Sequence, residues 1–281
     1  MTAPAGRIAL PTIQAPFAGV LAELERRQPQ LAAASRLFLL GAIPCVFAMM
    51  VDPRTVNDVS GWIKPTKFFI ALSLYYATLA WCFADLPDSV QRSRAGRFVI
   101  WAPILAGALE MTWIVAAASN GVPSHFNRAS LAWNAAYAAA GVGALTLMVT
   151  VLVQGILLAR VREVPIAPAF RLSLVLGAFV SFAATVIIAT ILSQGPGHWV
   201  GAPQTDAGGL PLLGWSRTGG DLRVAHFWAL HAHQLIPLAG WAVVQTRIRG
   251  KRMAVLALAA AYIGLTIFTF LQALSGQPFI P

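Results

Sequence analysis

The sequence predicts an all-α membrane protein, a single bundle of about seven transmembrane helices with the N-terminus cytoplasmic and the C-terminus periplasmic. Three observations predict it. Apolar residues make up 58% of the 281 and charged residues only 11%, where soluble domains carry about 25% charge. The apolar residues fall into seven long blocks with the charges gathered between them. The basic residues also gather on one side of the topology those blocks imply.

In order, the blocks cover about 31–51, 65–84, 98–120, 129–159, 170–193, 222–246 and 253–275. Most exceed the roughly 20 helical residues that cross about 30 Å of hydrocarbon. A lipid-facing strand alternates in polarity, whereas these blocks are apolar all round, so helices are expected. The first is short and interrupted by Pro44, with Arg36 near its cytoplasmic end. The fourth is longer than a bilayer needs and either tilts or extends beyond the lipid.

Seven spans put the N-terminal tail and the loops after spans two, four and six on one side. That side holds fourteen of the 20 basic residues, from Arg7 through Arg162 to Arg252. The other holds six: Arg54, Lys64, Lys67, Arg128, Arg217 and Arg223. Basic residues favour the cytoplasmic side, which sets the orientation. The net charge of +10 then reads as topology and contact with anionic lipid headgroups at the cytoplasmic face, with no nucleic-acid partner.

Residues 1–30 read as a cytoplasmic tail. They lack the basic stretch, apolar core and small-residue cleavage site of a signal peptide. Phe17 to Gln28 reads as an amphipathic interfacial helix, with Leu21 and Leu24 inward and Glu25, Arg26 and Arg27 outward, or as a disordered tail. Cys45 and Cys82 both lie inside spans, which disfavours a structural disulfide or thiolate metal site. No solenoid repeat and no Walker or dinucleotide glycine pattern is visible, so residues 31–281 read as one domain.

The polar chemistry is asymmetric. The cytoplasmic loops are short and basic, and the unusual residues sit in the outer connections. These are Gly61 to Lys67, Ser124-His125-Phe126-Asn127-Arg128, and the stretch from Gln194 to Arg223 with His198, Asp206 and Asp221. A loop that long is functional or disordered. Its Trp199, Leu210, Leu212, Leu213 and Trp215 favour a folded periplasmic cap over 194–221.

Helical rise places Glu110 about 15 Å below the outer end of the third span, with His231 and His233 at about 13 and 16 Å in the sixth and His226 at about 6 Å. Ser73, Tyr76, Asn134, Tyr137 and Gln272 also fall in the outer half. Ionisable residues inside a span are costly and face a partner or a watery cavity. The candidate site is therefore Glu110, His231 and His233 for proton transfer and His125, His198 and His226 as metal or haem ligands. Lys64, Lys67, Asn127, Asp221 and Arg223 are the further binding residues. His226 and His233 share a helix face but stand about 10 Å apart, and His231 turns away from both. One ion would therefore need donors from other segments, in a mixed imidazole and carboxylate set suited to zinc or iron. A bis-histidine haem needs a partner for the sixth span, His125 or His198.

Ordinary readings stand beside these. In-span histidines also hydrogen-bond neighbouring helices. Trp62, Trp101, Trp199, Trp215 and Trp241 suit interface anchors or packing, Lys64 and Lys67 suit snorkelling, and Asp221 suits a helix N-cap or a surface pair with Arg223.

The run Gly219-Gly220-Asp221-Leu222-Arg223-Val224-Ala225-His226-Phe227, followed by Leu230-His231-Ala232, resembles a signature of bacterial multi-pass membrane proteins. The Lys64-Pro65-Thr66-Lys67-Phe68 and Ser124-His125-Phe126-Asn127 runs are similar to other parts of that group. The resemblance covers most of the chain and implies a bacterial inner-membrane location. It directs attention to His125, His226 and His231 and brings no activity with it. Microbial rhodopsins fit poorly, because the seventh block has no lysine for a Schiff base. The ceramidase and adiponectin-receptor group of membrane hydrolases carries its paired histidines in the last helix, facing the cytoplasm, unlike this chain.

Three functions remain open on the sequence. The leading expectation is redox chemistry at a periplasm-facing metal or haem site on a lipid-soluble substrate such as a quinone or isoprenoid. The second is a proton-coupled small-solute transporter. The third is a sensor or assembly factor with a structural polar core.

Overall fold

The computed structural model describes residues 17–127, 129–161 and 166–281. Arg7, Arg128 and Arg162 of the charge count, and the tail before Phe17, lie outside them.

Nine helices and two short two-stranded sheets follow in the order α1 (Phe17–Arg27), α2 (Pro29–Val51), β1 (Thr55–Val56), β2 (Val59–Ser60), α3 (Ile63–Phe83), α4 (Asp88–Gln91), α5 (Arg94–Ser119), α6 (Leu131–Arg160), α7 (Pro168–Gln194), β3 (Trp199–Val200), β4 (Gly220–Asp221), α8 (Leu222–Gln245) and α9 (Lys251–Leu274) among the described residues. The seven long helices match the seven apolar blocks, and α2 continues through Pro44. Side-chain caps fix several starts. Ser93 accepts from Gly96 N at 3.1 Å, Ser130 from Trp133 N at 3.2 Å and Gln28 from Leu31 N at 2.6 Å; each satisfies an otherwise orphaned donor.

Six of these helices are long and apolar enough to cross a membrane, and the chain is a helical membrane bundle. Of the seven long helices, the one outside that set is α8. It is 24 residues long, but Arg223, three histidines and Gln234 make it more polar than its neighbours. Sequential helices pack side by side, with the most extensive contact between α7 and α8. The most buried span is α3, whereas α2 and α9 are peripheral. Their outer faces present Leu37, Leu40, Ile43, Phe47, Ile267, Phe268 and Leu271; an exposed apolar belt of this kind suits a lipid solvent. The main core joins Leu31, Phe38, Leu72, Tyr75, Tyr76, Leu79, Met111 and Ile114. Close approach there depends on Gly107, where a Cβ would fall 1.9 Å from the Tyr76 hydroxyl.

The helices alternate in direction and define a cap end and a far end. At the far end α1 lays Leu24 into the core. Arg27 turns inward as well, contrary to the sequence expectation. Its Nη1 donates to Trp81 O at 2.8 Å, the guanidinium lies 4.2 Å over the Trp81 ring, and Asp85 is 3.5 Å away. The long aliphatic stem lets Arg27 cover apolar surface while its head finds acceptors.

At the cap end the 194–221 segment is folded. Pairing of β3 with β4 sets Trp199 opposite Asp221 and closes the base of the loop. Trp215 is buried against Phe227 and Phe279 at 5.4 and 5.8 Å between ring centroids. Leu212 departs from expectation, being 92% exposed and left-handed at φ 65°. The β1–β2 hairpin turns through Asn57 and Asp58, both at positive φ, as a tight two-residue turn requires. It meets the cap where Asp206 N donates to Asn57 O at 2.9 Å.

Candidate functional site

An ion network holds the cap to α8. Asp221, 1% exposed, is the N-cap of α8 and accepts from Arg223 N at 3.0 Å. It also accepts from Ser216 N at 3.0 Å and from the Arg223 guanidinium at 2.7 Å. Arg223 reaches Gly214 O at 2.6 Å and Asp206 at 2.8 Å. Asp206 takes a second partner, His198 Nε2 at 3.2 Å, and a third, Asn57 Nδ2 at 3.2 Å. Burial alone would raise the Asp206 carboxyl, but the His198 hydrogen bond and the Arg223 charge outweigh it and hold it at about 2. Burial pushes the His198 imidazole down. At neutral pH the pair is thus a neutral imidazole N–H donating to a carboxylate. Every charged group here has a partner, as buried charges require.

Beneath the cap the pattern changes. His125, in the α5–α6 loop, accepts from Lys64 Nζ at 3.0 Å through Nδ1 and packs against the rings of Phe68 and Tyr137. Burial, with the positive charge of Lys64 and nearby His226, pushes the His125 imidazole well below the ordinary histidine range. Lys67 donates to Leu213 O at 3.1 Å. Among the described residues neither lysine has an ion pair with a carboxylate, although Lys64 lies within electrostatic reach of Glu110, Lys67, Arg223 and Asp206. Asn127 serves the loop itself, its Oδ1 accepting from Ala129 N at 3.2 Å.

Deeper still, Glu110 on α5 is 5% exposed and its Oε1 is buried without a hydrogen-bond partner. The carboxylate fits because residue 143 on α6 is glycine; a Cβ there would lie 2.8 Å from Oε1. On α8 the three histidines diverge, as their spacing predicts. His226 Nδ1 is buried and unpartnered. His231 stacks near Phe227, 4.3 Å between centroids, and its Nδ1 bonds Gln234 Oε1. His233 turns toward α3 and α7, with its ring 5.8 Å from Tyr75 and its Nδ1 2.7 Å from Leu230 O.

The predicted residues are therefore only partly brought together. His125 meets Lys64, and His198, Asp206, Asp221 and Arg223 form one network. No hydrogen bond or ion pair joins Glu110 to a histidine among the described residues, although depth alone had placed it beside His231 and His233. Among those residues no three His, Cys, Asp or Glu side chains are grouped so that they could hold a metal ion. The donors expected for zinc, iron or haem are spread over different depths and faces.

Sequence reasoning missed Thr78, Gln154, Ser181 and Gln234. Gln234 Nε2 donates to Thr78 Oγ1 at 3.3 Å, Gln154 Nε2 to Leu79 O at 3.0 Å, and Ser181 Oγ to Leu230 O at 2.9 Å. The two in-span glutamines were the available signal, since a side-chain amide in lipid needs partners. Ser73, Tyr76 and Gln272 instead serve packing, bonding Ser35, Pro103 O and Pro278 O.

No family model matches the chain, no curated protein matches it, and no solved structure matches it.

Proposed function

We propose that this is a seven-span bacterial inner-membrane protein, N-terminus inside, that couples proton movement to the passage of a small anionic solute. One observation carries the reading. The buried atoms Glu110 Oε1, His226 Nδ1 and His233 Nε2 of titratable groups are all unpartnered, and they are strung along the bundle rather than gathered about a point. Buried polar atoms are ordinarily satisfied, and ionisable groups inside a membrane mark proton relays and solute paths. Lys67, without a carboxylate partner, supplies positive charge at the mouth that attracts an anion. The seven-span count treats α8 as a span sheltered by α7, and the positive-inside bias supplies the orientation.

Proteoliposomes test the function. With inorganic phosphate or small carboxylates as trial solutes, the wild type should move protons when a solute gradient is imposed, and Glu110→Gln should not. Wild-type flux equal to that of empty liposomes sinks the reading. Topology is tested by thiol labelling of intact cells with a membrane-impermeant reagent. Leu212→Cys should label and Asp88→Cys should not.

Redox chemistry on a quinone or isoprenoid is the second reading. What favours it is the proximity of His125 and His226, imidazoles from separate segments within electrostatic reach of each other. Stoichiometric metal or a haem absorption band that is lost in His226→Ala would move the conclusion there.

A further inference from the structure

A narrow crevice between α3, α6, α7 and α8 is lined by Thr78, Cys82, Gln154, Leu158, Leu174 and His233. It has room for about one water molecule. Its upper end is at mid-bundle, since His233 lies about 16 Å along α8 at 1.5 Å per residue. Its lower end is marked by Cys82 and Leu158, each within a turn of the far end of its helix.

His233 fixes the polarity of this space. The residue is 8% exposed. The Leu230 carbonyl can only accept, so the 2.7 Å contact assigns the ring hydrogen to Nδ1. Nε2 is therefore a lone pair, and it is buried without a partner. Water in the crevice would satisfy it. The titratable groups near His233 are Tyr75, at 5.8 Å between rings, Cys82 along the same crevice, and His231 within electrostatic reach.

On the cap side of the same helix, His231 binds Gln234, and Gln234 binds Thr78. The Thr78 hydroxyl donates on to Leu74 O at 2.8 Å. A side-chain amide has donors and an acceptor but no titrating proton, so Gln234 separates His231 from the crevice.

We propose that the crevice holds a water molecule that exchanges with the far face and that His233 Nε2 is a proton-loading site served through it. The use made of the site rests on the transport reading above. In the loading step a hydronium in the crevice gives its proton to Nε2; an N–H bond forms and water remains. The hydrogen on Nδ1 stays there, donated to Leu230 O, so the proton leaves by the nitrogen it entered. His233 stores a proton and does not conduct one through its ring.

The test uses the full chain with 15N-labelled histidine in lipid vesicles, with inner and outer pH set separately and bulk water as the probe. The His233 Nε2 signal should show the lone-pair form at neutral pH, exchange magnetisation with water, and titrate with the pH at the far face alone. Gln154→Leu should remove the water contact. His233→Gln should reduce proton flux about tenfold or more with unchanged unfolding. A dry Nε2, or titration that follows the cap side, overturns the proposal. If His233 loads from the far face while wild-type vesicles carry no flux, the transport reading fails and the loading site stands. If flux needs Glu110 while His233 stays dry, the loading site fails and the transport reading stands.

Discussion

The cap and the middle of the bundle use the same residue types in opposite ways. In the cap, Asp206, Asp221, Arg223 and His198 all find partners, and Asp221 alone accepts from two backbone amides and a guanidinium. Between the cap and mid-bundle, Glu110, His226 and His233 each keep an unpartnered buried atom. A satisfied network fixes a structure, whereas an unsatisfied one leaves protons or ligands something to do. The same chemistry therefore reads as architecture in one place and as function in the other.

The strongest way to break this contrast is Asp221→Ala. It leaves the Arg223 guanidinium short of its most buried carboxylate partner and uncaps α8, and a broken buried pair costs about 3–5 kcal/mol. Denaturant unfolding in detergent should show a loss of that size. A loss below about 1 kcal/mol would mean that the network is held mainly by Asp206, whatever its burial. Glu110→Gln should do the opposite. Unfolding should be unchanged or improved, because a buried acid with one unpartnered oxygen is replaced by a neutral amide, while flux falls about tenfold or more, equivalent to about 1.4 kcal/mol in the barrier. If stability fell with flux, Glu110 would belong with the cap residues.

Gly143→Ala sharpens the comparison further. The new methyl enters the space of the Glu110 carboxylate, and overpacking of this kind costs about 1–3 kcal/mol. The double variant with Glu110→Ala should recover most of that loss in the same unfolding measurement. Additive effects would show that the methyl collides with something else.

The smallest effect concerns pH. Burial lowers the folded-state affinity of His198 for a proton. The stability it contributes is full above the unfolded value of about 6.5 and is lost as pH falls below it. Asp206, held at about 2, stays ionised through this window. In amide exchange corrected for the intrinsic exchange rate, which itself falls about tenfold per pH unit here, the opening equilibrium of the cap should therefore rise from pH 7 to pH 5 by less than about tenfold per unit. His198→Gln should flatten the dependence.

Much of the fold was legible in the sequence, because block length and charge placement respond directly to bilayer thickness. The start of α8 could be read from Asp221 and Leu222, since a cap and the first apolar turn are adjacent features. The facing of side chains could not. A helix that is apolar all round carries little phase information, so nothing in the spacing of α1 or α3 announced that Arg27 would seek Trp81 O. Glu110 and His233 were matched by depth, but depth is one coordinate of three; one faces α6 and the other α3 and α7. Leu212 was counted toward the cap core by its type, yet it lies at a left-handed turn that points it into solvent. Thr78 and Gln234 were invisible as a pair, because their meeting depends on how α3 and α8 are rotated.

The polarity of α8 has a consequence for biogenesis. A segment with Arg223, three histidines and Gln234 partitions poorly from water into lipid by itself. Its most extensive packing is with α7, where Ser181 meets the Leu230 carbonyl and lies beside His233. In the proposed seven-span topology the two helices would enter the membrane together as a hairpin, with the pairing of β3 and β4 closing the loop between them once both have been made.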